Sequence, residues 1–552
     1  MSCGCTMLDD LQLDQITDPH ARAVIQRLLN LIETLSAEGD RLKTENHQLR
    51  DEIRQLQGTP GRPKGPLGRL PAQDLSSEAE RRVPRGRVRQ PKNAQITVDR
   101  EEPCPVDPAT LPPDAQYKGT VPVIVQDLAL RTDNIRFLKA TWYAPSTGKT
   151  YLGALPPGYE GQFGPQLKSL RWLLANVGQM SQPKILEVVR AAGIQISSGH
   201  LGQLLLQQPD LDAEATAVAD ASLGATPWQQ VDHTATRVNG DDQHCHILTT
   251  PLATVAHTRP GKDRLSTLDS LRNNRPRTFR WNADAEAILF QRGLSAGVRR
   301  NLAHLPRDTV LDEPTLTDLL DTHVANAGRI QRQWIVEALA LAAYRAATDE
   351  PVVQLLLSDD APQLGGICAH QALCWVHDGR HDKKLRPQVA LHYDALAGFL
   401  KDYWAFYREL RAYQEAPTAT ERVRLDARFA VLFATVTGYD ALDARIAKTR
   451  ANRTELLQVL EHPELPLHNN AAELGCRARV RRRDVSFGPR TEAGVRAWDV
   501  GLTLVATAKK LGVNIYHYIQ DRLSGRNELP ALADLITQRA QELNLGASWE
   551  RS

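Results

Sequence analysis

Three acidic residues stand where folding could bring them into one site. Asp359, with Asp360 beside it, follows the apolar run Val352 to Leu357, and Pro362 stops that run from continuing as a strand. Such a run is expected to be a short strand buried on both faces of an α/β sheet. Carboxylates at its end lie on the sheet rim, where ligands and metals bind. Asp232 falls inside the alternating stretch Gln229 to Val238, and Glu473 falls in the first turns of a helix that Asn469 or Asn470 can cap. Three carboxylates suit Mg²⁺ or Mn²⁺, hard cations that take oxygen ligands and keep several waters. Two such ions about 3.5–4 Å apart can activate an attacking water or 3′-hydroxyl and stabilise the leaving oxygen of an in-line phosphoryl transfer. Asp232 would bridge both metals, Asp359 would bind one and Glu473 the other. Asp360 is the alternative second acid.

The elements that must position these acids can be read in order. Gln229 to Val238 alternates, Asn239-Gly240 is a hairpin turn, Gln243 to Thr250 returns, and Thr254 to His257 is a third strand. A helix from Asp263 to Leu271 and the strand at 352–357 follow. Three antiparallel strands, a helix and then a buried strand is the order of a ribonuclease-H-like sheet. In that fold an aspartate midway along the first strand meets one at the end of the fourth, the places of Asp232 and Asp359. Helical text at about 283–348 and 385–462 reads as two insertions. Ala372 to Val376 is expected to be a fifth strand. Its alternation would split Cys368, His370, Cys374, His377 and His381 between faces, so no structural zinc is expected there. Beyond Glu473, Arg477 lies at i+4, followed by Arg479, Arg481, Arg482 and Arg483; Arg477, Arg481 and Arg482 are candidate phosphate contacts.

The remainder supplies partners. In 552 residues, 67 Lys and Arg balance 65 Asp and Glu, so a nucleic-acid surface must be local. No apolar run reaches a membrane span and no secretion signal is evident, while seven scattered cysteines offer no disulfide framework. A cytoplasmic, nucleoid-associated bacterial protein is expected. Leu28, Leu35, Leu42, Leu49 and Leu56 recur every seventh residue, with Ile25, Ile32, Gly39, Asn46 and Ile53 three before each. These are d and a positions of a coiled coil, where Ile at a and Leu at d favour two strands and Asn46 fixes register. Arg81, Arg82 and Arg85 lie in a Pro-rich basic stretch that cannot bury a core and could track a DNA backbone. Strands are expected at Val121 to Val125 and Ile135 to Tyr143. Gln182 to Arg190 and Gly199 to Gln207, with Ser197 or Ser198 as a cap, form a helix-turn-helix pattern that offers His200 and Gln203 to a groove.

The chain resembles the transposases of the insertion-sequence-66 family. The resemblance runs from the heptads to about residue 525 and rests on several stretches. They include Gly61-Arg-Pro-Lys, Lys149-Thr-Tyr-Leu-Gly-Ala-Leu-Pro and Val231-Asp-His-Thr-Ala-Thr-Arg-Val-Asn-Gly. The most specific are Leu357-Ser-Asp-Asp-Ala-Pro-Gln, Ala372-Leu-Cys-Trp-Val-His377 and His468-Asn-Asn-Ala-Ala-Glu473. It implies an Asp-Asp-Glu core on a ribonuclease-H-like fold, with Asp232, Asp359 and Glu473 as its acids. It also implies binding to double-stranded DNA at element ends (the terminal inverted repeats) and at a target, followed by strand cleavage and strand transfer. The family's cysteine-paired zinc finger is reduced here to Cys104. The fold class expected is therefore a multidomain α+β and α/β chain. Residues 1–57 carry the coiled coil, 58–95 a basic linker, 96–160 a small β-rich domain and 161–225 the helix-turn-helix region. Residues 226–525 carry the catalytic core and 526–552 a helical tail. A nuclease that cuts without joining, and an inactive coiled-coil DNA-binding regulator, are the alternative functions; a homodimer or larger assembly fits all three.

Overall fold

The computed structural model describes residues 13–56, 96–128 and 130–549. The expected basic linker, with Arg81, Arg82 and Arg85, lies outside the described residues. The chain is a multidomain α+β protein whose strands are β1 (Thr141–Ala144), β2 (Lys149–Leu152), β3 (Trp228–Val238), β4 (Asp241–Thr249), β5 (Thr254–Arg259), β6 (Phe279–Arg280), β7 (Val310–Leu311), β8 (Leu355–Ser358) and β9 (His370–Leu373). The site is positioned by a mixed five-stranded sheet of order β5–β4–β3–β8–β9. β3, β4 and β5 form an antiparallel meander, whereas β8 and β9 run parallel to β3. The β3–β4 turn uses Asn239 and Gly240 at φ 52° and 97°, the left-handed pair that a two-residue hairpin between twisted strands requires. All four residues of β8 are buried, as its unbroken apolar text implies for a strand covered on both faces.

Alternation along β3 to β5 assigns the two layers. Val231, Leu248 and Val255 pack with Leu268, Leu271 and the buried residues of helix Arg329–Arg345. On the opposite face Cys245, Ile247 and Ala256 meet Ala472 and Cys476 of helix Asn470–Ser486. The free edge of β5 is closed by side chains. Thr507 and Thr503 accept the amides of Thr254 and Ala256, each at 3.1 Å, and Asp499 accepts that of Thr258 at 2.7 Å. These three acceptors recur every fourth residue on helix Glu492–Leu511, so one helix face satisfies the outward amides that would otherwise recruit another strand.

The two stretches expected as insertions are mainly helical. The first contains helices Ala283–Gln291, Ala296–Leu302, Glu313–His323 and Arg329–Arg345 with the small β6–β7 pair. The second contains helices Ala390–Glu415, Ala419–Leu432 and Asp440–Ala451 around Trp375, Tyr403, Phe406, Phe429 and Phe433. Helix Pro19–Leu56 leaves Leu28, Leu35, Leu42 and Leu49 exposed, while Leu29, Asn30 and Glu33 are buried. Asn30 donates to the Gly438 carbonyl at 2.9 Å and accepts the Asp440 amide at 3.0 Å. Glu33 accepts the amides of Gln388 and Val389, at 2.8 and 2.9 Å, and contacts His392 Nδ1 at 3.1 Å. The heptad helix is thus fastened to the second insertion by one face and presents its leucine seam on another. No helix among the described residues is long and apolar enough to cross a membrane.

Two expectations about secondary structure are corrected. Val121 to Val125 and most of Ile135 to Tyr143 form no strand; among the described residues of the region the one sheet is the β1–β2 hairpin, whose residues are nearly all exposed. Apolar, β-branched text pairs only when a larger sheet or a helix is there to cover it. The stretch Ala372 to Val376 does not continue as a strand, since β9 ends at Leu373 and helix Trp375–Lys383 begins behind the cap Cys374. Tertiary packing decides this. Trp375 is fully buried in the aromatic core, and its indole donates to the Leu456 carbonyl at 2.8 Å.

Candidate active site

The site forms where β3, β8 and two helices meet. Gln230 is paired with Leu357, and carrying that parallel register two residues onward sets Asp232 beside Asp359. Asp232 shares its register with Ile247, which packs under helix Asn470–Ser486. That helix lies close to the sheet because residue 475 is glycine. A Cβ there would stand 2.7 Å from Ile247 Cγ2, inside any ordinary contact. Asn469, expected to cap the helix, instead donates its side-chain amide to the Val231 carbonyl at 2.6 Å. The helix start is therefore tied to the residue before Asp232. A second tie runs from the Asn469 amide to Cys374 Sγ at 3.2 Å, and a third from the Trp375 amide to the Leu467 carbonyl at 3.0 Å. These bonds fix the start of the helix whose first turn carries Glu473, one position round from fully buried Ala472, near enough for its charge to act on Asp232.

Electrostatics follow from that crowding. Asp232 accepts its neighbour's amide at 2.7 Å and a hydrogen bond from the Cys476 thiol. Burial still pushes its carboxyl up to about 6, and the charges of Asp359 and Glu473 push the same way. Burial and Asp232 together push the Cys476 thiol well above its usual range, so it stays protonated and donates. Two arginines and an imidazole surround Glu473, with Arg380 Nη1 3.5 Å from Oε1, Arg477 Nη2 3.5 Å from Oε2 and His377 Nδ1 3.7 Å from Oε1. Burial lowers the His377 pKa, against the pull of Glu473 and Asp359. Asp360 turns away and pairs with Lys448 of the second insertion, leaving Asp359 as the aspartate that faces Asp232. Among the described residues, no three His, Cys, Asp or Glu side chains are grouped as a ready cation site.

The other candidate contacts divide. Arg477 and Arg481 are exposed on the acid-bearing helix, where a phosphate backbone could reach them. Arg482 does not fit that role: it is buried, donates to Asn176 Oδ1 at 2.8 Å and stacks 4.4 Å over the Trp498 ring. Its face of the helix, shared with buried Arg479, points into the protein. Helices Gln182–Ala191 and Ser198–Leu206 are present, and Ser197 accepts the His200 amide at 3.2 Å. Gln203 is exposed, whereas the His200 ring sits edge-on to Phe163, 4.8 Å between centroids. Cys476 and Arg380 were not among the residues the sequence singled out. The available signal was their spacing, since Cys476 follows Glu473 by three and Arg380 follows His377 by three. On the reverse face of the sheet His233, His246 and His257 stand in register across three strands, all held neutral by burial.

Comparison with known proteins shows a relative of uncharacterized function. A protein of Sinorhizobium fredii, "Uncharacterized protein y4jO", is 31% identical over 323 residues, covering 58% of this chain and 99% of that protein. No family model matches the chain. No solved structure matches it either.

Proposed function

The chain belongs to the same family as y4jO of Sinorhizobium fredii, and we propose that it is a transposase: a divalent-metal-dependent phosphoryl transferase that cuts and joins DNA. The observation that carries the reading is that the parallel register sets Asp232 beside Asp359 while the charges of Asp359 and Glu473 both act on Asp232. The three acids come from a central strand, the end of its parallel neighbour and a helix tied back to that strand, from sequence positions far apart. The sheet order β5–β4–β3–β8–β9, antiparallel on one side of β3 and parallel on the other, agrees with a ribonuclease-H-like core. The resemblance to insertion-sequence-66 transposases supplies the expectation of strand transfer at element ends.

The donor set fits Mg²⁺ or Mn²⁺. It consists of carboxylate oxygens; burial first, and then the charges of Asp359 and Glu473, raise Asp232, and a bound cation would offset both. Asp232 would hold both ions, Asp359 one and Glu473 the other. When bound, the ions supply activation of the attacking oxygen and stabilisation of the leaving one. The chain's own groups then orient the DNA. Arg477 and Arg481 contact backbone phosphates, Cys476 fixes the Asp232 rotamer, and Asn469 keeps the glutamate's helix on the strand. The exposed seam Leu28, Leu35, Leu42 and Leu49 pairs two copies as a coiled coil, so that two sites can act on two DNA ends.

The test is cleavage of DNA carrying the element's ends by the full chain with Mg²⁺. Asp232→Asn, Asp359→Asn and Glu473→Gln should each abolish cutting while leaving DNA retention in a gel intact. Undiminished cutting by Asp232→Asn excludes the assignment. Cutting without joined products would identify a nuclease instead.

A further inference from the structure

Glu473 carries two arginine contacts, whereas among the described residues neither Asp232 nor Asp359 makes an ion pair. Two guanidiniums and an imidazole edge converge on this one carboxylate, with 12% of its side chain exposed. Yet both arginine contacts are 3.5 Å, well beyond the 2.7–2.9 Å of a strong charge-assisted pair. Loose pairs of this kind cost little to exchange. Arg380 and Arg477 come from different helices, Trp375–Lys383 and Asn470–Ser486, and each takes one oxygen of the Glu473 carboxylate. Guanidinium is the side chain whose planar fork matches a phosphate, and two of them at the mouth of a carboxylate site form a clamp for a backbone phosphodiester. While both rest on Glu473, that carboxylate is not free to join Asp232 and Asp359.

Resting on the reading of this site as a metal-dependent DNA site, we propose that Arg380 and Arg477 are the phosphate clamp, and that Glu473 is their place-holder until DNA arrives. A phosphate draws the two guanidiniums off the glutamate, which then turns to complete the cation site. DNA and divalent cation thus bind with positive coupling, and the free protein is kept from loading metal without substrate. His377, 3.7 Å from Glu473 Oε1, is a positioning residue that stays with the carboxylate through the exchange.

The experiment measures Mn²⁺ affinity of the full chain by titration calorimetry, with and without a short mixed-sequence DNA duplex. For the wild type the duplex should tighten Mn²⁺ binding by about tenfold or more, within the usual range of coupling between sites. The Arg380→Gln/Arg477→Gln chain should bind Mn²⁺ without duplex about as tightly as the wild type does with it, and gain almost nothing on adding duplex. Arg477→Gln alone, at an exposed position, should show an intermediate effect and keeps the test readable if the double variant does not fold. The proposal is overturned if both variants, folded by their thermal melts, bind Mn²⁺ without duplex no better than the wild type. Failure of the underlying reading looks different: Asp232→Asn and Glu473→Gln would then leave Mn²⁺ affinity unchanged even with duplex present.

Discussion

Glu33→Ala tests how the heptad helix is held. Helix Ala390–Glu415 has no side-chain cap from its own N-terminal residue, Val389. Its cap comes from Glu33, more than three hundred and fifty residues earlier, whose carboxylate takes the amides of Gln388 and Val389 and touches His392. A hydrogen bond to a charged group contributes about 1.5–3 kcal/mol. Two amides sharing one carboxylate do not add fully, so about 3 kcal/mol is a reasonable total for the cap. At about 1.4 kcal/mol per factor of ten, that corresponds to roughly a hundredfold loss of protection at these two amides. Hydrogen exchange read by mass spectrometry over residues 385–395 measures it. Glu33→Gln, which keeps an acceptor but drops the charge, should lose about half as much on the logarithmic scale. A change below about threefold for Glu33→Ala would refute the cap. A uniform loss across β3 to β5 would refute it too, since docking of the heptad helix would then be inseparable from the global fold.

Three further outcomes follow from the same contacts. Asp382 is buried, and burial with neighbouring Asp378 pushes its carboxyl up to about 7, because Arg445 makes its 2.9 Å bond to Asp378 and reaches Asp382 only at 3.5 Å. A carboxyl with a raised folded pKa makes stability fall as pH climbs from about 4 to about 7. Asp382→Asn should therefore melt higher than the wild type at pH 8 and equal to it near pH 4; equal melts throughout would contradict the shift. Arg482→Ala should destabilise by about 2–3 kcal/mol in denaturant titration, through its lost Asn176 bond and Trp498 stacking. Arg481→Ala should instead leave stability unchanged and weaken duplex binding, and the reverse pattern would contradict the assigned helix faces. Leu35→Asp with Leu42→Asp should halve the mass seen by light scattering without moving the thermal melt, and an unchanged mass would exclude the seam as the contact between copies.

What the sequence disclosed depended on how local the signal was. The meander at 228–259 was legible because alternation and Asn239-Gly240 carry it within a single short stretch of chain. The buried strand β8 was legible from its unbroken apolar text. Facing was not. Arg477, Arg479, Arg481 and Arg482 are one basic run, and only the packing of Trp498 and Asp499 decides that 479 and 482 turn inward. The helix at Trp375 was hidden because Ala372 to Val376 has strand text, and the core that claims Trp375 is assembled from helices that extend more than eighty residues later. The ion pair of Asp360 with Lys448 was likewise invisible, since nothing local separates two adjacent aspartates. The exposed apolar residues of 121–152 show the converse: a local pattern without a neighbouring element to receive it.

The most direct test is the anomalous scattering of Mn²⁺ in crystals of the full chain bound to duplex DNA. Density is predicted within ligand distance of the carboxylates of Asp232, Asp359 and Glu473, with Arg380 and Arg477 on phosphate oxygens. Manganese bound elsewhere, with Glu473 still held by its two arginines, would contradict the account.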